Sequence, residues 1–351
     1  MRTRPNLQVA DEGTRMAERV NILLTCIGRR VSLLEAFRRA LASVGVEGKI
    51  FGADWSRMAS AFHAADEGFV VPGVNAPDYV DALLDVCRRR DVDLVVPLID
   101  WELTTLAEAR HRFEEAGARV VVSSPEVTRI CWDKREAFRF LSAHGVATPR
   151  LLSFKEALSG PFPVISKDRH GSASKRVRRI YSASAMKRMG RRRKRLLFQE
   201  YVEGREYTVD VYTGLDGRPT VAVPRWRIQV RAGEVSKGMT VRHPEVIRRS
   251  MHLADVLGGC RGVITCQCRV DAQGAVKFFD VNPRFGGGVP LAIRAGADFP
   301  KWLIQEHLGR QPDIAPDGWE SGLVMLRWDE AVFCRAEDVG LDENGNGMDT
   351  G

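Results

Sequence analysis

Long apolar runs are missing from this 351-residue chain, and nothing approaches the ~20 consecutive apolar residues of a membrane-spanning helix. The arginine-rich, acid-containing start also lacks the apolar stretch of a secretory signal, so a cytoplasmic protein is expected. The seven cysteines are odd in number and lack the paired spacing of metal ligands. That pattern argues against a disulfide framework and for reduced thiols. Cys266 and Cys268 are the only close pair, and strand alternation puts both on one face as core filling. Aromatic residues are absent from the basic run Lys187 to Arg195. Specific nucleic-acid binding by stacking is therefore not expected there, and the run reads as a solvated helix face or loop.

What is present points to a folded, anion-handling protein. A hydrophobic content of 44% over this length can bury a sizeable core in two or three domains. The net charge of +8 suits anionic partners, nucleotides included. Val20 to Thr25 reads as a buried strand, and Ser32 with Glu35 forms a capping-box signal for the helix that follows. Further strands are expected at Lys49 to Ala53, Gly68 to Val71, Asp93 to Pro97 and Arg119 to Val122. Helices lie between them, at Asp78 to Arg89 and Leu103 to Ala116 among others. Such alternation implies a parallel sheet with helices on both faces. The first strand-to-helix turn, Cys26-Ile27-Gly28-Arg29-Arg30, has one glycine where a dinucleotide fingerprint needs three, so a nicotinamide site is not expected. Arg29, Arg30, Asp54, Asp100 and Glu102 fall near carboxyl ends of strands, where ligands bind in such sheets. They are candidate substrate contacts, with solvated loop charges as the competing reading.

The most informative stretch is Phe278-Phe279-Asp280-Val281-Asn282-Pro283-Arg284-Phe285-Gly286-Gly287-Gly288. Gly262 to Val270 and Ala275 to Val281 read as two strands joined by the turn Asp271-Ala272-Gln273-Gly274, an antiparallel hairpin. Asp280 and Asn282, two apart, share a face. If Gln267 shares it too, three side-chain oxygens converge on one spot, a set suited to Mg²⁺. Arg284 adds a permanent charge beside it. A polar strand end followed by a glycine turn is the competing reading.

Asp280 to Gly288 resembles the Glu-x-Asn-Pro-Arg signature of ATP-grasp enzymes, specifically those similar to the carbamoyl phosphate synthase large subunit; Asp stands here where Glu is usual. The resemblance covers roughly Val20 to Trp328. It implies an α/β protein: a Rossmann-like pre-ATP-grasp domain followed by a two-lobed α+β ATP-grasp domain. The expected division is a flexible leader at 1–19, the pre-ATP-grasp domain at 20–124, and a small lobe with linker helix at 125–200. A large lobe at 201–336 and a loose tail at 337–351 complete it. The resemblance further implies that Gln267, Asp280 and Asn282 hold Mg²⁺, with Mn²⁺ as an alternative, and that Arg284 meets the transferred phosphoryl group. Lys134 and Lys167 would contact ATP phosphates, with Ser172 in the small-residue loop after Lys167; Asp168 should turn outward. Glu200, Tyr201 and Val202 would pair with adenine through the main chain, and Glu206 would accept from ribose. Arg225 and Lys237 would face phosphates or an acidic substrate, with charges on a wet sheet face as the competing reading. Arg29, Arg30, Asp100, Arg225, Gly286 and Gly287 form the substrate set.

The implied activity is a carboxylate-amine ligase that works through an acyl phosphate and releases ADP and phosphate. Its partners are small carboxylate and amine substrates; a homodimer is left open as the assembly. Bicarbonate activation of the carbamoyl phosphate synthase kind is the nearer alternative. A nucleotide-regulated RNA-binding module using the basic run is the alternative of another class.

Overall fold

The computed structural model describes residues 18–171, 177–190, 195–231 and 233–341. The expected leader up to residue 17, Ser172, residues 191–194 of the basic run and the tail from 342 lie outside the described residues.

Five strands pair in parallel to make the first sheet: β1 (Ile22–Thr25), β2 (Ile50–Asp54), β3 (Glu67–Val70), β4 (Leu94–Pro97) and β5 (Arg119–Val120). Their order is β3-β2-β1-β4-β5, so the chain reverses its direction of travel across the sheet between β1 and β4. The linking helices are α1 (Val31–Val44), α2 (Ser60–Ala64), α3 (Tyr79–Arg90), α4 (Leu103–Glu108) and α5 (Arg110–Glu115). Because β1, β2 and β4 are buried along their whole length, both faces need cover. Phe37 of α1 and Phe62 of α2 lie in one core with Ile22 and Leu24, and Leu83 of α3 and Phe113 of α5 lie in a second with Leu23 and Val95. Two expectations change. The Ser32–Glu35 capping box does not form: α1 starts at Val31, and Glu35 turns to Arg38 one turn on. The helix expected over 103–116 bends at Ala109 into α4 and α5.

The middle of the chain supplies α6 (Pro125–Trp132), α7 (Lys134–Ala143), β6 (Leu151–Leu152), α8 (Phe154–Ser159), β7 (Val164–Asp168), β8 (Arg178–Ile180), α9 (Ala183–Lys187) and β9 (Leu196–Glu200). The strands make an antiparallel sheet in the order β6-β9-β7-β8 over Leu152, Val164, Ile180 and Phe198. As its position before Lys134 predicts, Asp133 caps α7, accepting from the Arg135 and Glu136 amides at 3.0 and 3.4 Å.

A six-stranded antiparallel sheet follows, ordered β14-β13-β10-β11-β12-β15. Its elements are β10 (Arg205–Gly214), β11 (Val221–Arg231), β12 (Glu234–Thr240), α10 (Pro244–Leu257), β13 (Gly262–Val270), β14 (Val276–Asn282), α11 (Val289–Arg294), α12 (Phe299–His307) and β15 (Val324–Leu326). The single helix expected over 290–308 is two helices, because Gly296 adopts φ +110° and Asp298 caps α12 afresh. One face of this sheet is apolar. Cys266 and Cys268 lie fully buried there with Val209, Val211 and Phe278, as alternation requires. The first and third sheets share a core: Phe37 of α1 meets Phe285 edge-on at 5.7 Å, and Trp302 and Leu303 of α12 join the same cluster. That packing fixes the start of α1 against the loop after β14.

Candidate active site

The polar face of the large sheet builds the site row by row. Register pairs Asp280 with Gln267, Gln267 with Thr208 and Thr208 with Arg225, and the next row runs Asn282, Thr265, Asp210. Directly opposed residues share a face, so Gln267, Asp280 and Asn282 stand together. The register slips between Gln267 and Cys268, which pair with Asp280 and Phe278. Phe279 is therefore the extra residue of a β-bulge. It switches faces: Val276 and Phe278 sit in the core, yet Asp280, two residues on, faces the site, and Val281 returns to the core.

Two cavities open on this face. The larger, about 840 Å³, lies between the small and large sheets and is lined by Lys134, Lys167, Glu200, Tyr201, Val202, Glu206, Gln267 and Asp280 among others. The smaller, about 200 Å³, is lined by Arg30, Asp100, Arg225, Arg227, Glu234, Gln267, Asp280, Asn282, Arg284 and the loop Gly286 to Gly288. Gln267 and Asp280 belong to both walls. The smaller cavity sits at the carboxyl ends of β1 and β4, the reversal point of the parallel sheet, where such sheets bind ligands.

Lysines dominate the floor of the large cleft. Lys134 Nζ donates to Asp280 Oδ1 at 2.9 Å, and Asn282 Nδ2 donates to Asp280 Oδ2 at 3.0 Å. Burial raises the Asp280 pKa, but Lys134, Lys167 and the Asn282 hydrogen bond outweigh it and hold the carboxyl down to about 2. Lys167 donates to the Phe279 carbonyl at 2.7 Å, the group freed by the bulge, and its ammonium lies 4.5 Å from the Phe138 ring centre. Burial pushes Lys167 down to about 7; Asp280 opposes the shift and Lys134 adds to it. Asp133, the cap of α7, also grips Arg169 at the start of the loop after β7. At the far wall Glu206 accepts from Arg269 at 2.6 Å, with Arg227 at 3.3 Å, and Arg179 lies over the Tyr201 ring at 4.6 Å.

The small pocket is held by ion pairs. Arg225 is fully buried and clamps Asp210 with two hydrogen bonds, at 2.7 and 3.0 Å. A Cβ on Gly288 would lie 2.2 Å from Arg225 Nη1, which is why that position needs glycine. Arg284 donates to Asp100 at 2.8 Å.

Of the residues singled out from sequence, those two cavities collect all but four of the described ones. Arg29 is exposed and lines neither. Lys237 is also exposed and lines neither, because alternation turns it to the opposite face from Gly238 and Thr240, the side of Arg225. Glu102, expected at substrate, is buried and instead accepts from Tyr79 at 2.5 Å and from the Leu98 and Ile99 amides at 2.9 and 3.1 Å, shaping the loop that presents Asp100. Asp54 likewise braces a turn, accepting from the Gly28 amide at 2.9 Å. Asp168, expected to turn outward, lines the large cleft at the open end of β7. Sequence reasoning missed Arg269 as the partner of Glu206, although it lies two residues from Gln267 on one strand face. It also missed Gln199, whose buried Oε1 has no partner, and Glu234.

The site residues fit nucleotide and metal. Unpartnered buried polar atoms line the cavities, among them Gln199 Oε1, Asp100 Oδ1 and Arg284 Nε. No trio of His, Cys, Asp or Glu that could hold a metal occurs among the described residues. A cation here would draw on one carboxylate, Asp280, and on the amides of Asn282 and Gln267, a hard-oxygen set that suits Mg²⁺.

Residues 22–121 match the family model "PylC-like, N-terminal domain", and residues 192–330 match "ATP-grasp in the biosynthetic pathway with Ter operon". The two parts of the chain are thus similar to a PylC-like N-terminal domain and to an ATP-grasp domain, respectively. A carbamoyl-phosphate synthase of Methanobrevibacter smithii is 27% identical over 155 residues, 42% of this chain. That match spans 41% of the relative's own length. Among solved structures, the biotin carboxylase domain dimer of 2-oxoglutarate carboxylase from Hydrogenobacter thermophilus, determined with MgADP, ADP and bicarbonate, superposes with a TM-score of 0.66 at 17% identity. The alignment covers 86% of this chain and 73% of that one. An L-amino acid ligase from Bacillus licheniformis gives a TM-score of 0.65 at 15% identity, over 86% of this chain and 78% of that one. No helix among the described residues is long and apolar enough to cross a membrane.

Proposed function

We propose that the chain is an ATP-dependent carboxylate-amine ligase that works through an acyl phosphate and releases ADP and phosphate. The observation that carries this reading is the shared wall: Gln267 and Asp280 line both a lysine-floored cleft of nucleotide size and a small arginine-lined pocket. A phosphoryl group bound over the lysines would meet an anion in the small pocket at that wall. The ATP-grasp model match and the ligase among the structural neighbours support the same class.

In this reading Glu200 to Val202 and Glu206 hold the nucleoside end, and Lys134 and Lys167 hold the phosphates. Mg²⁺, bound through Asp280, Asn282 and Gln267, would supply charge neutralisation at the phosphates. A carboxylate oxygen of the substrate bonds the γ phosphorus as the bond to the β–γ bridging oxygen breaks, and ADP leaves with that electron pair. Arg284 stabilises charge on the equatorial oxygens; removing such a donor typically costs about 10²–10³ in rate. An amine nitrogen then bonds the acyl carbon, phosphate departs with the C–O pair, and the nitrogen gives up a proton. The enclosing lobes keep water from the acyl phosphate.

The test is ADP release across a panel of carboxylates with hydroxylamine as amine. The right carboxylate should yield ADP and a hydroxamate together; AMP and pyrophosphate, or phosphorylation of an alcohol, would exclude the reading. Bicarbonate activation is the second reading, favoured by the carbamoyl-phosphate synthase match. It predicts ATP hydrolysis stimulated by bicarbonate alone.

A further inference from the structure

The charges that line the small pocket pair off one by one. Arg225 is closed on Asp210, Arg284 lies 2.8 Å from Asp100, and Arg227 lies 3.3 Å from Glu206. Glu234 meets Arg327 at 3.1 Å, and Asp280 meets Lys134 at 2.9 Å. Arg30 is left over: it lines the pocket, and its guanidinium has neither a hydrogen bond nor an ion pair among the described residues. Burial first, then the like charge of Arg284, pulls its guanidinium down to about 10, well below the ordinary arginine value. An arginine in that setting lacks an anion.

Three further atoms of the pocket residues have no hydrogen bond, Arg227 Nε among them. Asp100 Oδ1 is a buried acceptor without a donor, and Arg284 Nε is a buried donor without an acceptor. Buried groups left unmade cost more than a hydrogen bond returns, so such atoms mark where a ligand completes a set. Arg30 is within electrostatic reach of Arg284, Asp100, Glu234 and Arg327, and Arg284 reaches Asp280 as well. Arg30 and Asp100 thus lie within electrostatic reach of each other and of Arg284. The missing ligand needs an anionic group for Arg30, a hydrogen-bond donor for Asp100 and a body that fits about 200 Å³.

We propose that this pocket binds a small amino acid, with its carboxylate on Arg30 and its ammonium group on Asp100 Oδ1. The use made of that amino acid, as source of the amine, rests on the ligase reading; its binding does not.

The experiment is a melting-temperature screen of the full chain, without ATP, against the standard amino acids in both enantiomers, followed by calorimetry on whichever binds. At least one small amino acid should stabilise the protein. Its carboxamide and its N-acetyl derivative should each bind roughly tenfold more weakly or worse, because each leaves one buried charge unmatched. Arg30→Gln should lose affinity to a similar degree and Arg30→Lys should recover part of it. ATP binding by Arg30→Gln, measured separately, reports that the fold is intact, since Arg30 does not line the large cleft. No stabilisation by any amino acid would overturn the proposal, as would equal binding of the carboxamide or wild-type affinity in Arg30→Gln. Amino-acid binding with no ATP-dependent product would count against the ligase reading alone. ADP release as fast with a simple alkylamine as with the amino acid would count against this inference alone.

Discussion

Lys134 Nζ lies 2.9 Å from Asp280 Oδ1, so the carboxylate at the wall between the two cavities is already paired, before nucleotide arrives, with the first residue of α7. The contact ties the linker helix to the large sheet, and it sets the electrostatics of both cavities.

Asp280→Asn should strand two lysines in a buried setting. Loss of one partner of a buried pair costs about 3–5 kcal/mol, and urea unfolding of the ATP-free protein should show a loss of that order. Because the Asp280 pKa is depressed from 3.8 to about 2, its contribution is present above about pH 4 and is lost as pH falls through 2. The acid limb of the wild-type stability curve should therefore carry a component that the variant lacks.

Lys167 should take up a proton when ATP binds. With its pKa held at about 7, the ammonium is partly neutral near pH 7.5, and phosphate oxygens would restore it. Calorimetry in buffers of different ionisation enthalpy should show most of one proton absorbed at pH 8 and little at pH 6. Lys167→Ala should weaken ATP binding and abolish the uptake. In the ATP-free protein the native state binds fewer protons at this site than the unfolded chain between about pH 7 and about 10.5, so this site's penalty fades as pH rises through that window. Nucleotide affinity and proton uptake both unchanged in Lys167→Ala would remove it from the phosphate cradle.

Asn282→Ala should abolish Mg²⁺-dependent turnover with melting temperature near wild type. Turnover within a few-fold of wild type would exclude Asn282 as a metal ligand.

Gly288→Ala should destabilise through the Arg225–Asp210 pair. The new methyl would meet Arg225 Nη1 at 2.2 Å and Val235 Cγ1 at 2.6 Å, and overpacking of this kind costs roughly 1–3 kcal/mol. Chemical denaturation measures it; a stability equal to wild type would mean that the loop moves freely off the pair.

Replacing Arg191, Arg192 and Arg193 with Gln should leave saturating turnover near normal. A collapse of turnover with ATP affinity preserved would assign the run to an anionic substrate or polymer.

Much of the fold was legible because period and punctuation are strong here. The strand ends at Pro97 and Val270, the α7 cap at Asp133 and the core placement of Cys266 and Cys268 all follow from local rules. The convergence of Gln267 with Asp280 was legible as a condition, since it depends on register, which turns and burial fix only in three dimensions. Lys237 stayed open between the site and a wet sheet face because a lysine on a basic strand pair gives no sign of which face it takes, and the structure puts it on the wet face. Glu102 was misjudged because an acid at a strand's carboxyl end looks the same whether it meets a ligand or braces its own loop. The pairing of Arg225 with Asp210 joins two strands, and neither sequence neighbourhood announces it.

The bulge at Phe279 gives β14 one main-chain carbonyl that the ladder does not use, and Lys167 takes it. The apolar residues Val276, Phe278 and Val281 are spaced by two and then by three, and that odd step is the extra residue itself. A different side chain at 279 keeps the step. Deleting the residue would restore even alternation with Asp280 still opposite Gln267 and Asn282 still opposite Thr265, and what the strand would lose is the Phe279 carbonyl that receives Lys167.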